Sequence, residues 1–267
     1  MANVEISHPT DGVTQLTLNR PERLNTLNYD LVSELHAALD AVDRDHSCRV
    51  VLITGEGRGF CAGLDLNGFG TVPGTEGFGR AQQGLAVQQY IAGLVPRLRD
   101  TRQPVISAIN GPCAGGGFAI ALASDIRVCA ESARFGTAFV RLGLSGCDIG
   151  VSWLLPRMIG ASRAWELLLT GRVIDAAEAD RLGLVTERVA DGQVVEAALV
   201  HAERIKANSP FGTWMTKEVM WSNLEISSLQ AGIDLENRTQ ILSSGTEDSR
   251  AAMEAFFTKQ TPDWQNR

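Results

Sequence analysis

Three consecutive glycines at positions 115–117 have a type and spacing that suit chemistry at the backbone. They follow an apolar run, Val105–Ile109, and an Asn-Gly-Pro turn, and a short apolar segment comes after them, which predicts strand, turn and helix. Glycine lets the backbone approach a ligand closely, and the first N–H groups of a helix have no partner inside it. The helix dipole adds partial positive charge there, so the pattern predicts a site for an anion or a developing oxyanion. A tight turn with close helix packing is the alternative explanation of the same glycines.

A second glycine-containing turn lies upstream. Residues 49–54 (RVVLIT) have the pattern of a buried strand, and they run directly into GEGRGFCAGLDL at 55–66. Alternation of strands and helices continues to Val128, which is typical of a parallel sheet with crossover helices. The sequence therefore indicates an α/β fold in which two glycine-containing turns follow buried strands.

The remaining segments predict the elements around these turns. Residues 4–6 and 13–18 alternate around Asp11-Gly12 as a hairpin does, and 28–43 has the period of an amphipathic helix with Asn28 as its N-cap. Residues 68–84, with six glycines, predict a mobile loop or an exposed connector. From 152 onward the chain is predicted to be mostly helical, with a short strand over 184–189.

A change of composition near Asn208-Ser209-Pro210 divides the chain into a core section, 1–208, and a C-terminal helical section, 209–267. At 267 residues with 44% hydrophobic side chains, the chain has material for one large core. A net charge of −7 and a pI near 5.2 give no basic surface for nucleic acid or an anionic membrane.

The N-terminus has no signal-peptide pattern, and no apolar stretch is long enough to span a membrane, so we expect a cytoplasmic protein. Five cysteines without C-x-x-C spacing are expected to be reduced thiols. The four histidines have no ligand spacing, and we expect no metal site.

The two turns together resemble the double signature of the enoyl-CoA hydratase/isomerase, or crotonase, family. The matching motifs are FCAGLDL at 60–66, NGPCAGGG at 110–117 with SD at 124–125, LNRPERLNTL at 18–27, RFG at 134–136, LPRMIGASRAWELLLTGR at 155–172 and AEADRLGLVTERV at 177–189. The resemblance covers most of the chain. It implies a ββα spiral core with a C-terminal helical trimerisation section, assembly as a homotrimer or a dimer of trimers, and an acyl-CoA thioester as substrate. Coenzyme A is then part of the substrate, and no separate cofactor is expected.

The resemblance also implies the site. The backbone N–H groups of Leu64 and Gly116 fall where the family holds the thioester oxygen as an oxyanion, and each such donor is worth about 2.7–4 kcal/mol in the transition state. The positions that match the binding of coenzyme A are Arg23, Leu24, Ala62, Asp65, Phe256 and Lys259. Phe256 and Lys259 match a C-terminal pair that often reaches a neighbouring subunit, although Lys259 is equally explained as a surface lysine. Asp65 is expected to brace its loop rather than to transfer protons.

This sequence departs from the family pattern at the two glutamates that hydrate a double bond. The matching positions hold Ala119 and Phe139, which cannot move a proton. One nearby carboxylate remains, Asp148, at a position that resembles the catalytic aspartate of dienoyl-CoA isomerases, with one extra residue in the preceding loop. A single base beside an oxyanion hole suffices for a 1,3-proton shift, so we expect double-bond isomerisation with Asp148 as the base. Alternatively, Asp148 has a structural role and caps a helix that begins near Ile149.

Three other functions stay open at this point. Hydration remains open if another group, such as Glu76, activates the water. Nucleophilic attack by Asp148 on an acyl-CoA, as in the similar 4-chlorobenzoyl-CoA dehalogenases, is disfavoured because no histidine lies between His46 and His201. A catalytically silent acyl-CoA-binding protein is the third possibility, since the oxyanion donors persist without the glutamates.

Overall fold

The centre of the computed structural model, which describes residues 2–266, is a six-stranded sheet in the order β1-β2-β3-β4-β6-β9. β1 is antiparallel to β2, and the other neighbours in this sheet are parallel. The strands of the protein are β1 (Val4–Ser7), β2 (Val13–Leu18), β3 (Val50–Gly55), β4 (Val105–Ile109), β5 (Pro112–Ala114), β6 (Ile126–Ala130), β7 (Arg134–Gly136), β8 (Ile174–Asp175) and β9 (Glu187–Val189). Met1 and Arg267, the outer ends of the two predicted sections, lie outside the described residues.

A second sheet of three short strands lies beside the first, in the order β5-β7-β8. β5 is parallel to β7, and β7 is antiparallel to β8. β5 follows β4 after only two residues, so the Gly-Pro turn moves the chain directly from the large sheet to the small one. The helix after β5 therefore begins at the edge where the parallel strands of the large sheet end.

The helices surround the two sheets. They are α1 (Tyr29–Arg44), α2 (Arg80–Ala92), α3 (Leu94–Asp100), α4 (Gly116–Ala123), α5 (Val151–Ile159), α6 (Ala161–Thr170), α7 (Ala176–Arg181), α8 (Val194–Lys206), α9 (Pro210–Asn223), α10 (Leu229–Ser244) and α11 (Glu247–Thr258). Short 3₁₀ helices cover Pro21–Arg23 and Ala138–Leu142. No helix of the described chain is both long and apolar enough to cross a bilayer.

The two faces of the large sheet bury different helices because successive side chains of a strand point in opposite directions. In β3, Val50 and Leu52 pack in a small cluster with α8, whereas Val51 and Ile53 join the main core with α1 and α4. Every residue of β3 and β4 is buried, as the continuous apolar runs of parallel strands require. The strands are therefore fixed from both faces, and so are the turns at their ends.

The structure confirms most of the predicted local elements. β1 and β2 form the hairpin, and the side chain of Asn28 accepts a hydrogen bond from Leu31 N at 3.0 Å, which caps α1. The loop predicted over 68–84 is wrong at its end, because 80–84 is the first part of α2. α5 begins at Val151 rather than near Ile149, and the predicted strand over 184–189 is reduced to Glu187–Val189.

The predicted boundary at 208 falls between α8 and α9, and α9 is tied to the core by a buried lysine. Lys217 Nζ lies 3.0 Å from Asp125 Oδ2 and donates to the carbonyl oxygens of Leu98 and Gln103 at 2.9 and 3.0 Å. Burial lowers the pKa of Lys217, and the neighbouring Asp125 carboxylate opposes that shift. A buried ammonium that has one carboxylate and two carbonyl partners fixes the position of α9 on the core.

Asn25 joins the segment before α1 to the turn after β3. Its side chain is fully buried, with Nδ2 donating to Glu56 O at 3.0 Å and to Gly59 O at 2.8 Å, and with Oδ1 accepting from Arg20 N at 2.8 Å. The backbone of Asn25 has φ 55°, in the left-handed region that asparagine tolerates better than most residues. One side chain thus satisfies three backbone groups that have no other means of pairing when buried.

Asn25→Ala is expected to lower the free energy of unfolding by about 3 kcal/mol, because it leaves one backbone donor and two backbone acceptors, all at least partly buried, without this partner. Asn25→Asp keeps the acceptor for Arg20 N and loses both donors, so it is also expected to destabilise. Asn28→Ala removes only a helix cap and should cost about 1 kcal/mol. Denaturant unfolding measures all three, and an Asn25→Ala cost no larger than that of Asn28→Ala would contradict the proposed role of the side chain.

Candidate active site

The two glycine-containing turns pack directly on each other where β3 and β4 end. Cys61 and Cys113 form a parallel bridge, with Ala114 N donating to Cys61 O at 2.9 Å and Cys61 N donating to Pro112 O at 3.1 Å. A Cβ atom on Gly117 would lie 2.6 Å from the Cβ of Cys61, and one on Gly63 would lie 3.0 Å from Ala114 O. Only glycine allows this approach, and the contact brings the two turns together.

The contact places two backbone N–H groups, those of Leu64 and Gly116, in the facing turns. Gly115 has φ 52°, and α4 begins at Gly116, so the N–H of Gly116 belongs to the open first turn of the helix. The neighbours of Leu64 are locked, since Leu27 N donates to Gly63 O at 2.7 Å and Asp65 N to Leu27 O at 3.0 Å. Neither N–H donates to an acceptor among the described residues, and the arrangement suits an oxyanion.

Asp65 braces the first of these turns. Its Oδ2 accepts from Arg20 Nη2 at 2.9 Å, and its Oδ1 accepts from the backbone N and the side-chain amide of Asn67 at 3.0 and 3.1 Å. The hydrogen bond from Arg20, followed by those from Asn67, lowers the pKa of Asp65 to about 2. A carboxylate held in its charged form by these donors is a poor base at neutral pH, so the geometry favours a structural role.

The predicted coenzyme A positions Arg23, Leu24 and Ala62 lie next to one another. Ala62 N donates to Leu24 O at 3.0 Å, which joins the 3₁₀ helix Pro21–Arg23 to the first turn. Leu24 has φ 52° and therefore turns the chain sharply just before Asn25. The structure thus brings these three residues beside the predicted oxyanion turn.

Phe256 and Lys259 lie elsewhere, at the C-terminal end of α11. Phe256 is 78% exposed, and Lys259, also exposed, has φ 55° and ends the helix. No hydrogen bond or ion pair within residues 2–266 joins either one to the two turns. The predicted contact of Phe256 and Lys259 with the nucleotide therefore stays a prediction.

Asp148 lies in the loop before α5 and is reached by two donors. Ile149 N donates to its Oδ1 at 2.9 Å, and Gln88 Nε2, from α2, donates to the same oxygen. Burial raises the pKa of Asp148, and the two hydrogen bonds oppose that shift. α5 has Gly150 as its N-cap without a side-chain capping bond, so the alternative role of Asp148 as a helix cap is not supported.

Ile149 connects Asp148 to the second turn. A Cβ atom on Gly116 would lie 3.5 Å from Ile149 Cδ1, so the side chain that follows Asp148 covers the start of α4. Ile149 has φ 46°, which is strained for a β-branched residue. The chain therefore turns sharply at Ile149, directly after Asp148.

Positions 119 and 139, where the resemblance predicts the two family glutamates, carry no titratable group. Ala119 is fully buried in α4, and its N–H donates to Gly115 O at 3.0 Å. The Phe139 ring lies 3.4 Å from where a Cβ atom on Gly115 would stand, so it occupies space beside the glycines. Asp148 directly precedes Ile149 in the sequence, and the Ile149 side chain contacts this turn.

Four cysteine thiols are buried and inert. Burial raises the pKa of Cys61 and Cys129 to about 12 and that of Cys113 well above its usual range. Cys48 is also buried, whereas Cys147 is exposed. No group of three or more His, Cys, Asp or Glu side chains able to hold a metal ion occurs in the described part of the chain.

Sequence reasoning missed Arg20, Gln88 and Ile149. Arg20 lies inside the LNRPERLNTL motif, and its positive charge could have been proposed as the partner of the Asp65 carboxylate. Gln88 lies in a segment without a motif, and the left-handed conformation of Ile149 has no sequence signal, since isoleucine is rare there. Only the three-dimensional arrangement reveals these last two.

Comparison with known proteins identifies the class. The sequence profile described as enoyl-CoA hydratase/isomerase matches residues 8–267. "Probable enoyl-CoA hydratase EchA12" of Mycobacterium tuberculosis is 42% identical over 253 residues, covering 93% of this chain and 89% of that protein. The 1,2-epoxyphenylacetyl-CoA isomerase of Escherichia coli is 39% identical over 258 residues, covering 96% of each.

Solved structures agree with the sequence comparison. A probable enoyl-CoA hydratase/isomerase from Mycobacterium abscessus has a TM-score of 0.94 and 35% identity, covering all of both chains. A monofunctional enoyl CoA isomerase from M. smegmatis has a TM-score of 0.74 and 38% identity, covering 87% of this chain and 99% of that one. The chain belongs to the enoyl-CoA hydratase/isomerase family, and its predicted crotonase fold is confirmed. It is therefore an acyl-CoA-processing enzyme of that family.

The bracing of Asp65 predicts a pH-dependent stability. Because its pKa in the folded protein, about 2, lies below the ordinary value of 3.8, the carboxylate stabilises the fold above pH 3.8 and loses that effect as the pH falls toward 2. Asp65→Asn should therefore unfold at lower denaturant concentration than wild type at neutral pH, with a gap that narrows in acid. Asp11→Asn, in the exposed hairpin turn, is the control without such a gap. If the difference in unfolding midpoint between Asp65→Asn and wild type stays constant down to pH 2.5, the bracing role of the Asp65 carboxylate is refuted.

The contact between the turns predicts that alanine substitution has opposite effects on stability at two helical glycines, Gly117 and Gly84. Gly117→Ala places a methyl group against the backbone of Cys61, which cannot move away without separating the two turns, so we expect little folded protein. Gly84→Ala lies in exposed α2 with no atom within 4 Å of the new methyl group, and should stabilise by about 1 kcal/mol. Soluble yield and denaturant unfolding test the pair, and a stable Gly117→Ala protein would show that the turns do not depend on this contact.

Proposed function

We propose that this enzyme moves a double bond in an unsaturated acyl-CoA thioester by proton transfer. The N–H groups of Leu64 and Gly116 hold the thioester oxygen, and Asp148 is the single base. The observation that carries the proposal is the placement of Asp148 next to Ile149, whose side chain covers the start of α4, while Ala119 and Phe139 occupy the two glutamate positions. This arrangement favours a reaction that needs one base and no activated water.

The proposed reaction begins when the Asp148 carboxylate takes a proton from a carbon activated by the thioester or by its conjugated double bonds. The electron pair moves through the unsaturated chain to the carbonyl oxygen and forms an enolate. Two N–H donors stabilise that charge, each by about 2.7–4 kcal/mol in the transition state. The protonated Asp148 then returns the proton to another carbon of the chain, so the double bond moves and no atom is gained or lost.

The electrostatics of Asp148 support a role as base. Burial raises the pKa of its carboxyl group, which makes it a stronger proton acceptor than an exposed aspartate while hydrogen bonds still favour the ionised form. Asp65, by contrast, is held ionised by Arg20 and Asn67. The two aspartates thus have environments that suit a base and a brace respectively.

Names among similar proteins support both an isomerase and a hydratase. The relative from E. coli is named 1,2-epoxyphenylacetyl-CoA isomerase, and the M. smegmatis structure is that of a monofunctional enoyl CoA isomerase. The M. tuberculosis relative carries the name of a hydratase, so hydration with a non-standard acid and base is the second candidate. The residues at 119 and 139 favour isomerisation.

Coenzyme A is proposed to lie along Arg23, Leu24 and Ala62, as part of the substrate and without a separate cofactor. Phe256 and Lys259 are proposed to complete the nucleotide site of a neighbouring subunit in a homotrimer or a dimer of trimers. Their exposure, 78% for Phe256, leaves them available for such a contact, and Phe257 beside them is also exposed.

Asp148→Asn is expected to lower the rate of double-bond migration by about 10²–10⁴-fold, because the amide cannot accept the proton. The assay uses 2-enoyl-, 3-enoyl- and 3,5-dienoyl-CoA and follows thioester conjugation by ultraviolet absorbance. Glu76→Gln is the control, since Glu76 is exposed and has no described partner, and it should retain wild-type rates.

The products separate the candidates. If wild type forms a 3-hydroxyacyl product from 2-enoyl-CoA and Glu76→Gln does not, the isomerase proposal is contradicted and hydration is favoured. Unchanged migration in Asp148→Asn would remove Asp148 from the mechanism. Coenzyme A binding without turnover of any substrate would favour a nucleophilic reaction on another thioester or a non-catalytic role.

A further inference from the structure

The two described hydrogen bonds to the Asp148 carboxylate converge on one oxygen. Ile149 N donates to Oδ1 at 2.9 Å, and Gln88 Nε2 donates to Oδ1 as well. Within residues 2–266 the other oxygen, Oδ2, accepts no hydrogen bond. The carboxylate therefore has one anchored oxygen and one that is free to accept a proton.

The anchor from Ile149 is local, whereas the anchor from Gln88 is a contact between distant elements. Ile149 is the next residue in the chain, so its N–H follows any movement of the loop. Gln88 lies 60 positions away in α2 and ties the loop to a separate helix. A rotation of the carboxylate about its χ2 torsion, which is broad for aspartate, breaks the bond to Gln88.

α2 is itself well held, so it can serve as a fixed support. Ile91 is buried in the main core, and the Tyr90 ring stacks on Tyr29 of α1 with centroids 5.4 Å apart. His36 Nε2 lies 3.3 Å from Tyr90 O. These contacts fix the C-terminal half of α2, where Gln88 projects toward the loop.

A second contact, between α3 and Gly150, fixes the same loop. The Val95 side chain of α3 lies 3.4 Å from where a Cβ atom on Gly150 would stand. The loop at 148–150 is thus bounded by α2 at Asp148 and by α3 at Gly150.

We propose that Gln88 is a positioning residue that anchors Oδ1 of Asp148 and leaves Oδ2 as the oxygen that exchanges the proton with the substrate. The proposal rests on the function proposed above, in which Asp148 is the base. Gln88 itself transfers no proton, since a primary amide is neither acid nor base at neutral pH. Its effect on the reaction passes through the orientation and the proton affinity of Asp148.

Loss of Gln88 has two predicted consequences with different readouts. The carboxylate samples more orientations, so kcat falls while KM changes little, because the thioester and coenzyme A contacts are intact. The ionised form also loses a hydrogen bond, so the pKa of Asp148 rises further. Burial, Ile149 N and Gln88 are the influences on this pKa, with no charged side chain of the described chain among them.

The test compares Gln88→Leu with Gln89→Leu, the neighbouring exposed glutamine of the same helix, whose side chain has no described partner. Gln88→Leu is expected to reduce kcat about tenfold or more and to move the acidic limb of the kcat/KM profile upward by about one pH unit. Gln89→Leu should match wild type in both. Equal kcat and equal profiles for the two leucine variants would overturn the proposal.

Gln88→Glu provides a second, independent variant. It replaces the donor by another carboxylate, and the like charge should move the acidic limb upward by more than the leucine variant does. An unchanged limb in Gln88→Glu also contradicts the proposal. Circular dichroism and thermal unfolding of each variant check that the overall fold is retained, as expected for substitutions at an exposed position.

Asp148→Asn, measured beside these variants, separates this inference from the proposed function. If Asp148→Asn is inactive and Gln88→Leu behaves as wild type, Asp148 remains the base and the role of Gln88 is wrong. If Asp148→Asn remains active, both fail together. If Asp148→Asn is inactive and Gln88→Leu is slow with a displaced acidic limb, both are supported.

Discussion

The close approach of two backbone turns is the constraint on which the rest of this structure depends. Gly117 lies so close to the backbone of Cys61 that no larger residue fits, and Gly63 lies against Ala114 with φ 97°, a conformation that favours glycine. The parallel strands β3 and β4 lead into these turns from the same edge of the sheet. A buried sheet and four small residues therefore determine the positions of the Leu64 and Gly116 N–H groups, which donate to no acceptor within residues 2–266.

Much of the polar structure nearby serves to hold that arrangement. Arg20 pairs with Asp65, and Asn25 links the segment before α1 to the turn after β3. Because the proposed donors are backbone groups, side chains around them can change without removing them. Ala119 and Phe139 illustrate this, since neither side chain can move a proton and the glycine turn before α4 is present beside them. In such a site, anion stabilisation and proton transfer are separable properties of the sequence.

Local patterns allowed much of the fold to be predicted, because they depend on neighbouring residues. The hairpin of β1 and β2, the cap at Asn28 and the strand before the glycines all follow from short-range rules. The family motifs supplied the positions of both turns. The start of α2 within a glycine-rich segment was missed because glycine disfavours helices, whereas here Gly79 N donates to Gln82 Oε1 at 3.0 Å and caps an exposed first turn. The role of Gln88 could not be predicted from local patterns, because its partner, Asp148, lies 60 residues away in the sequence.

The distribution of cysteines has a practical consequence for observing this enzyme. Four of the five thiols are buried, and three of these, Cys61, Cys113 and Cys129, are strongly shifted toward the protonated form. The fifth, Cys147, is exposed and immediately precedes Asp148. The folded native sequence therefore carries one addressable attachment point for a fluorophore or spin label, in the loop that holds the proposed base.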